Sequence, residues 1–110
     1  MASYVRGMDR PALDDALTDR DAVLRAFVTR DGRLSAIPTR IRKRLVVLNE
    51  LAQQFEIGET YDETQVNTVL RAWHDDVAAL RRYLVDEGFL ERRDGLYWRA
   101  GGTVVAELGS

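Results

Sequence analysis

Apolar side chains recur along this chain with two periods, helical for most of its length and alternating near its end. Val23, Leu24, Phe27 and Val28 fall at helical spacing behind Thr18 and Asp21, a pair resembling a capping box with the shorter acid, so a helix is predicted over residues 19–29. Arg30-Asp31-Gly32 stops it with a turn. Residues 33–37 then read as a short strand before Pro38, which lacks a donor and biases Ile37 away from helix. The longest helix starts at Pro38 or Thr39 and ends near Phe55, before Gly58. Its apolar positions Ile41, Leu45, Leu48, Ala52 and Phe55 advance by alternating steps of four and three, which at about 100° per residue gives one narrow stripe.

The segment GETYDETQVNTVLRAW carries two competing helix starts, Thr60 with Glu63 and Asp62 with Gln65. A helix over 62–73 follows, with Val66, Val69, Leu70 and Trp73 along one side. His74-Asp75-Asp76 interrupts it, and Asp75 suits the N-cap of the next helix, where a carboxylate can bond orphan amides at the positive dipole end. That helix, VAALRRYLVDE, runs over 77–87, and Gly88 supplies a left-handed C-terminal cap.

The period then changes. LERRDGLYW reads as a β-hairpin around Asp94-Gly95. A two-residue turn would pair Arg93 with Leu96. A three-residue loop with Gly95 left-handed would pair Arg92 with Leu96 and Leu90 with Trp98; it places two apolar side chains on one face, makes Trp98 core, and is the preferred register. The expected fold is α+β, a helix-dominated winged-helix-like domain over residues 18–99, with about four helices, a C-terminal hairpin and a short strand near 33–37. Residues 1–17 read as a flexible N-terminal extension in which Leu13 and Leu17 permit a short helical turn. Residues 100–110 read as a Gly-containing tail, a frayed strand or disordered.

Composition narrows the function without naming it. At 110 residues the chain is one domain by length, able to bury roughly two thirds of its unfolded surface. Hydrophobic residues at 45% and charged residues at 31% are ordinary for a globular protein. The formal net charge is -2, so the whole-molecule field does not attract nucleic acid and any phosphate contact must come from a local patch. There is no cysteine, which removes disulfides, thiolate metal sites and cysteine nucleophiles. No apolar run approaches the roughly 20 residues of a membrane span, and the N-terminus lacks a signal-peptide core, so a cytoplasmic, prokaryotic protein with no membrane contact is expected.

The motifs DGRLSAIPTRIRKRLVVLNELAQQF, YDETQVN and HDDVAALRRYLVDEGFLERRDGLYW, in this order and spacing, resemble domain-of-unknown-function family 2087 over residues 23–99. That family is a prokaryotic domain occurring alone or behind an ArsR-type helix-turn-helix in transcriptional regulators. The resemblance implies a regulatory setting and no established activity. Where the domain accompanies another DNA-binding module, the resemblance implies a task other than reading the operator.

Candidate sites follow from charge placement. In the helix over 77–87, Val77, Leu80 and Leu84 form the inward stripe, and Ala78, Ala79, Arg82 and Asp86 face out. A recognition helix contacts bases with its N-terminal residues. Here that end presents Asp75 and Asp76, which repel phosphates, and Arg82 and Asp86 are spaced to pair with each other. Arg81, on the stripe's margin, needs a carboxylate such as Glu63, Asp75 or Asp76 if it is partly buried; the competing role is an anion site. Around the hairpin, Arg92, Arg93 and Arg99 surround Tyr97 and Trp98, a grouping able to grip phosphate and stack bases, or simply to keep the hairpin soluble. On the long helix Arg42 and Lys43 point outward while Arg40 and Arg44 flank the stripe. His74 with its acidic neighbours matches no metal signature, and no nucleophile constellation can be built.

The resulting expectation is a non-enzymatic regulatory domain, a candidate transcriptional regulator that contacts nucleic acid through a basic wing. Its contact residues would be Arg42, Lys43, Arg82, Arg92, Arg93 and Arg99. The alternative is a protein-interaction or adaptor domain without nucleic-acid binding, in which Leu13, Leu17, Leu24 and Val28 supply an apolar surface to a second copy or another protein; against it stands packing on the chain's own domain, which is the preferred reading for the helix over 19–29. No catalytic residue, metal or cofactor is expected.

Overall fold

Helix α3 (Ile41–Ala52) is apolar on more sides than one stripe requires, and three other helices pack around it. The structure is a computed structural model that describes residues 2–4 and 10–105, with side chains for 12–104. Within them the order is β1 (Ala2–Tyr4), α1 (Arg10–Leu17), α2 (Arg20–Phe27), α3, β2 (Thr60–Asp62), α4 (Glu63–Arg71), α5 (Val77–Asp86), β3 (Leu90–Arg93), β4 (Leu96–Arg99) and β5 (Thr103–Val105). The class is α+β and helix-dominated, with five helices, a three-stranded antiparallel sheet ordered β2-β4-β3, and a separate β1-β5 pair. No helix among the described residues is long and apolar enough to cross a membrane.

In α3, Leu45 through Asn49, Leu51 and Ala52 are all buried, whereas Ile41, expected in the stripe, is 47% exposed. A helix hydrophobic nearly all round must be covered on several sides. α1 and α2 cover one side and α5 another. This corrects the reading of residues 1–17 as a flexible extension. Leu13, Ala16 and Leu17 share a helical face, and Leu13 and Ala16 are fully buried against the core. Leu17 packs against the same core, and so do Leu24 and Val28, as the preferred reading of the helix over 19–29 has it. Residues 1, 5–9 and 106–110, where the rest of the expected extension and tail falls, lie outside the described residues.

Three local signals resolve differently from expectation. Residues 33–37 form no strand; they contribute a single bridge, Val28 to Leu34. The reason is that the Leu34 amide donates to the Trp73 carbonyl at 2.8 Å, tying the segment to the end of α4 instead of extending a ladder. The Thr18/Asp21 box does not form, because the Thr18 hydroxyl donates back to the Asp15 carbonyl at 2.8 Å and α2 starts from Asp19 without a side-chain cap. α5 is capped by Asp76, whose carboxylate accepts from the Ala79 amide at 3.1 Å, and not by Asp75.

Of the two starts for α4, Asp62 with Gln65 makes a reciprocal capping box, both bonds at 2.8 Å. Thr60 is thereby released into β2, a strand that hydropathy does not announce because its three residues run exposed, intermediate, exposed. The hairpin takes the two-residue turn. Asp94 and Gly95 both have positive φ, 53° and 80°, the geometry favoured where strands twist right-handed. The register is therefore Arg93 to Leu96, Arg92 to Tyr97, Glu91 to Trp98 and Leu90 to Arg99. Because side chains alternate, this single step moves Trp98 off the core face and Tyr97 onto it: Tyr97 is 1% exposed and Trp98 only half-buried.

Beyond the hairpin, part of the Gly-containing tail is integral. Gly101, Gly102 and Thr103 are buried, and Thr103–Val105 pairs with Ala2–Tyr4 as β5. Gly102 has φ +93°, and a Cβ there would come within 3.0 Å of Asn49 Oδ1, so only glycine fits comfortably.

Candidate nucleic-acid interface

Burial of Leu80 and Leu84 fixes the rotation of α5, and burial of Leu90 and Tyr97 fixes the hairpin beside it. Between these two anchored elements lies a cleft of about 310 Å³. Ala78, Arg81, Arg82, Val85 and Asp86 form its helix wall, with Arg92 and Tyr97 on the hairpin side. The observed register places Arg92 opposite Tyr97, with its guanidinium 5.6 Å from the centre of that ring. Three arginines against one aspartate thus line a concave surface of a chain whose net charge is negative. Arg82 and Asp86 form no ion pair among the described residues; the Arg82 guanidinium lies 5.9 Å from the Tyr83 ring centre instead.

Arg81 is the deepest cation of the cleft, its side chain 20% exposed. It lies 3.7 Å from the Glu63 carboxylate and donates to Asn67 Oδ1 across the α4–α5 contact. Glu63 also accepts from the Tyr97 hydroxyl at 3.2 Å, so one carboxylate ties both walls to α4. Asp75 and Asp76 do not join this group. Asp75 pairs with Arg33 at 2.9 Å and Asp76 caps α5.

The other cations sit elsewhere. Arg42 and Arg44 are two residues apart on α3 and so point about 200° apart. Arg42 faces α1 and α2, where it bonds Asp15, Thr18 (3.1 Å) and Asp19 (3.1 Å). Arg44 faces α5, with its guanidinium 4.4 Å from the Tyr83 ring centre and Nη1 donating to the Thr39 carbonyl at 2.9 Å. Lys43, exposed, lines a groove with α2 on the Arg42 side. Arg93, 84% exposed, stands at the hairpin tip beside Asp94.

Arg99 turns inward, contrary to its expected role at the wing's surface. Its guanidinium donates to the carbonyls of Gly101 (3.1 Å), Phe55 (3.4 Å) and Thr103. Burial pushes its pKa below the ordinary arginine value, and nearby Glu56 opposes that shift. The physical reason is again the register, which pairs Arg99 with buried Leu90 and puts both on the inner face. So of the expected contact residues, the structure brings Arg82 and Arg92 together with Arg81, leaves Arg93 nearby in sequence at the tip, and separates Arg42, Lys43 and Arg99.

His74 belongs to a turn: its Nδ1 accepts from the Asp76 amide at 3.0 Å. Among the described residues no group of three or more His, Asp or Glu side chains could hold a metal ion. A buried polar knot that sequence reasoning missed lies on the far side of Arg99. Asn49 accepts from the Thr103 amide at 2.9 Å and donates to its hydroxyl at 3.0 Å, while Gln53 donates to the Thr103 carbonyl at 2.9 Å. The signal available was one asparagine inside the apolar run LVVLNELA, since such a residue needs a partner when buried.

Among known proteins, a family model described as "Uncharacterized protein conserved in bacteria (DUF2087)" matches residues 33–99. That stretch spans α3 through β4 and so contains every residue of the cleft. No curated protein and no solved structure matches the chain.

Proposed function

This chain belongs to the DUF2087 family of uncharacterized bacterial proteins, and from that premise we propose a non-enzymatic regulatory domain that grips nucleic acid by its phosphates in the cleft between α5 and the hairpin. The observation that carries the reading is the convergence of Arg81, Arg82 and Arg92 on one concave surface. A guanidinium presents several donors in a planar fork matched to phosphate oxygens, and neutralising phosphates releases the counterions condensed on the nucleic acid. Arg82 and Arg92 are the phosphate contacts in this proposal, Arg93 extends the contact to the tip, and Arg81 is a positioning residue tied to Glu63. The succession α3, β2, α4, α5, β3 and β4, with its three-stranded sheet, supports reading the domain as winged-helix type.

Sequence-specific readout is not part of the proposal. The end of α5 that would enter a major groove carries Asp75, already paired with Arg33, and Asp76, whose carboxylate repels the backbone it would have to pass. Mobility shifts at low salt with genomic duplex fragments and with single strands test the reading. Binding that weakens steeply with salt and is reduced in Arg82→Ala/Arg92→Ala supports it; no shift with either nucleic acid at low salt removes it.

A further inference from the structure

On the side of α3 away from the cleft, α2 forms a ridge beside an apolar groove of about 240 Å³. Ala16, Ala22, Val23, Ala26 and Phe27 line the groove, and Lys43 stands at its rim. At 100° per residue Val23, Leu24 and Phe27 point inward, leaving Ala22 and Ala26 one turn apart on the outer face. Asp21 and Arg25, also one turn apart, run along the flank of that face and are exposed; Asp21 meets Arg20 of its own chain at 3.0 Å through Oδ1, with its side chain 82% exposed and so open to a second cation.

We propose that a second copy of this chain docks here, with its α2 laid antiparallel across Ala22 and Ala26. The charge pattern selects this occupant. A two-fold axis crossing the ridge at the level of Val23 would bring Asp21 of each copy opposite Arg25 of the other, because antiparallel helices set like flanks against each other in reverse order. The surface is thus complementary to itself, as an isologous interface must be. Alanines at the crossing let the two backbones approach closely, and the apolar groove beside the ridge supplies area that water would otherwise cover. Eight residues of helix give a small contact, so the dimer belongs with weak, reversible associations. Since Arg42 marks this side of α3 and Arg44 the side facing α5, both clefts stay open in the dimer. α2 lies outside the stretch matched by the family model, so the dimer concerns this chain and does not depend on the nucleic-acid proposal.

Sedimentation velocity over a micromolar to submillimolar concentration series tests it, with circular dichroism confirming that each variant is folded. The wild type should shift from monomer to dimer across the series, and Ala22→Glu and Ala26→Glu should stay monomeric. Asp21→Arg and Arg25→Asp should each fail to self-associate, yet an equimolar mixture of the two should sediment as a heterodimer, because one chain then offers two cations and the other two anions. A wild type that remains monomeric throughout, a dimer that survives Ala26→Glu, or a mixture that stays monomeric would each overturn the proposal.

Discussion

Arginine does opposite work on the two sides of α3. On the α1/α2 side two arginines are met by acids of their own fold: Arg42 by Asp15 and Asp19, Arg20 by Glu50 at 2.9 Å. The hydrogen bond from Glu50 raises the Arg20 pKa above the ordinary arginine value, the sign of a cation already satisfied. In the cleft, Arg82 and Arg92 have aromatic rings for neighbours instead of carboxylates. The difference teaches that a basic patch is defined by missing counter-charges and not by the number of cations. The run TRIRKR is the densest basic cluster in the chain, and its Arg42 is neutralised by three-dimensional neighbours that no local window reveals.

The buried knot around Thr103 carries the largest expected effect on stability. Arg99→Ala and Asn49→Ala should each lower unfolding free energy by roughly 1–3 kcal/mol in urea titrations, since buried Thr103 and the carbonyls around it lose partners. The double variant should cost less than the sum, because both side chains serve Thr103. An Arg99→Ala protein as stable as wild type would return Arg99 to the surface group.

Next in size is the turn that sets the register. Gly95→Ala should cost about 1–2 kcal/mol from left-handed backbone strain alone, as nothing lies within 4 Å of the added Cβ. Arg42→Ala should cost less, about 0–1 kcal/mol, because its ion pairs are exposed. It should also leave nucleic-acid affinity unchanged, which distinguishes its side of α3 from the cleft.

The smallest effect lies in the turn after α2. The Thr29 hydroxyl holds the Asp31 carboxyl below the ordinary carboxylate range, so this group favours the fold above its unfolded-state pKa and loses that contribution as pH falls through its lower folded-state pKa. Thr29→Ala should move the Asp31 titration upward in an NMR pH series, with little change in the melting curve at neutral pH.

Much of the helical skeleton was legible in the sequence because its signals are local. Val66 and Leu70 on α4, Leu80 and Leu84 on α5, and the left-handed Gly88 behind it all follow from spacing and end chemistry. What escaped needed a partner distant in the chain. β2 exists because Tyr97 of β4 pairs with Tyr61, α1 is held because α3 offers it a second apolar side, and β5 stands where the opposite end of the chain returns. The candidate site suffered most from one residue of register. Preferring Leu90 opposite Trp98 joined two apolar side chains plausibly, but the twist of an Asp-Gly turn outweighed that contact and exchanged the roles of Trp98, Tyr97 and Arg99.

In the proposed function Arg82 and Arg92 supply the phosphate contacts and Arg42 does not. Fluorescence anisotropy with a labelled oligonucleotide, repeated across a salt series, reads that directly as the slope of log affinity against log salt. Arg82→Ala/Arg92→Ala should lower the magnitude of the slope by about 2 and weaken binding, while Arg42→Ala should keep the wild-type slope. Equal slopes for wild type and the double variant, or a slope lost in Arg42→Ala, would contradict that assignment of contacts.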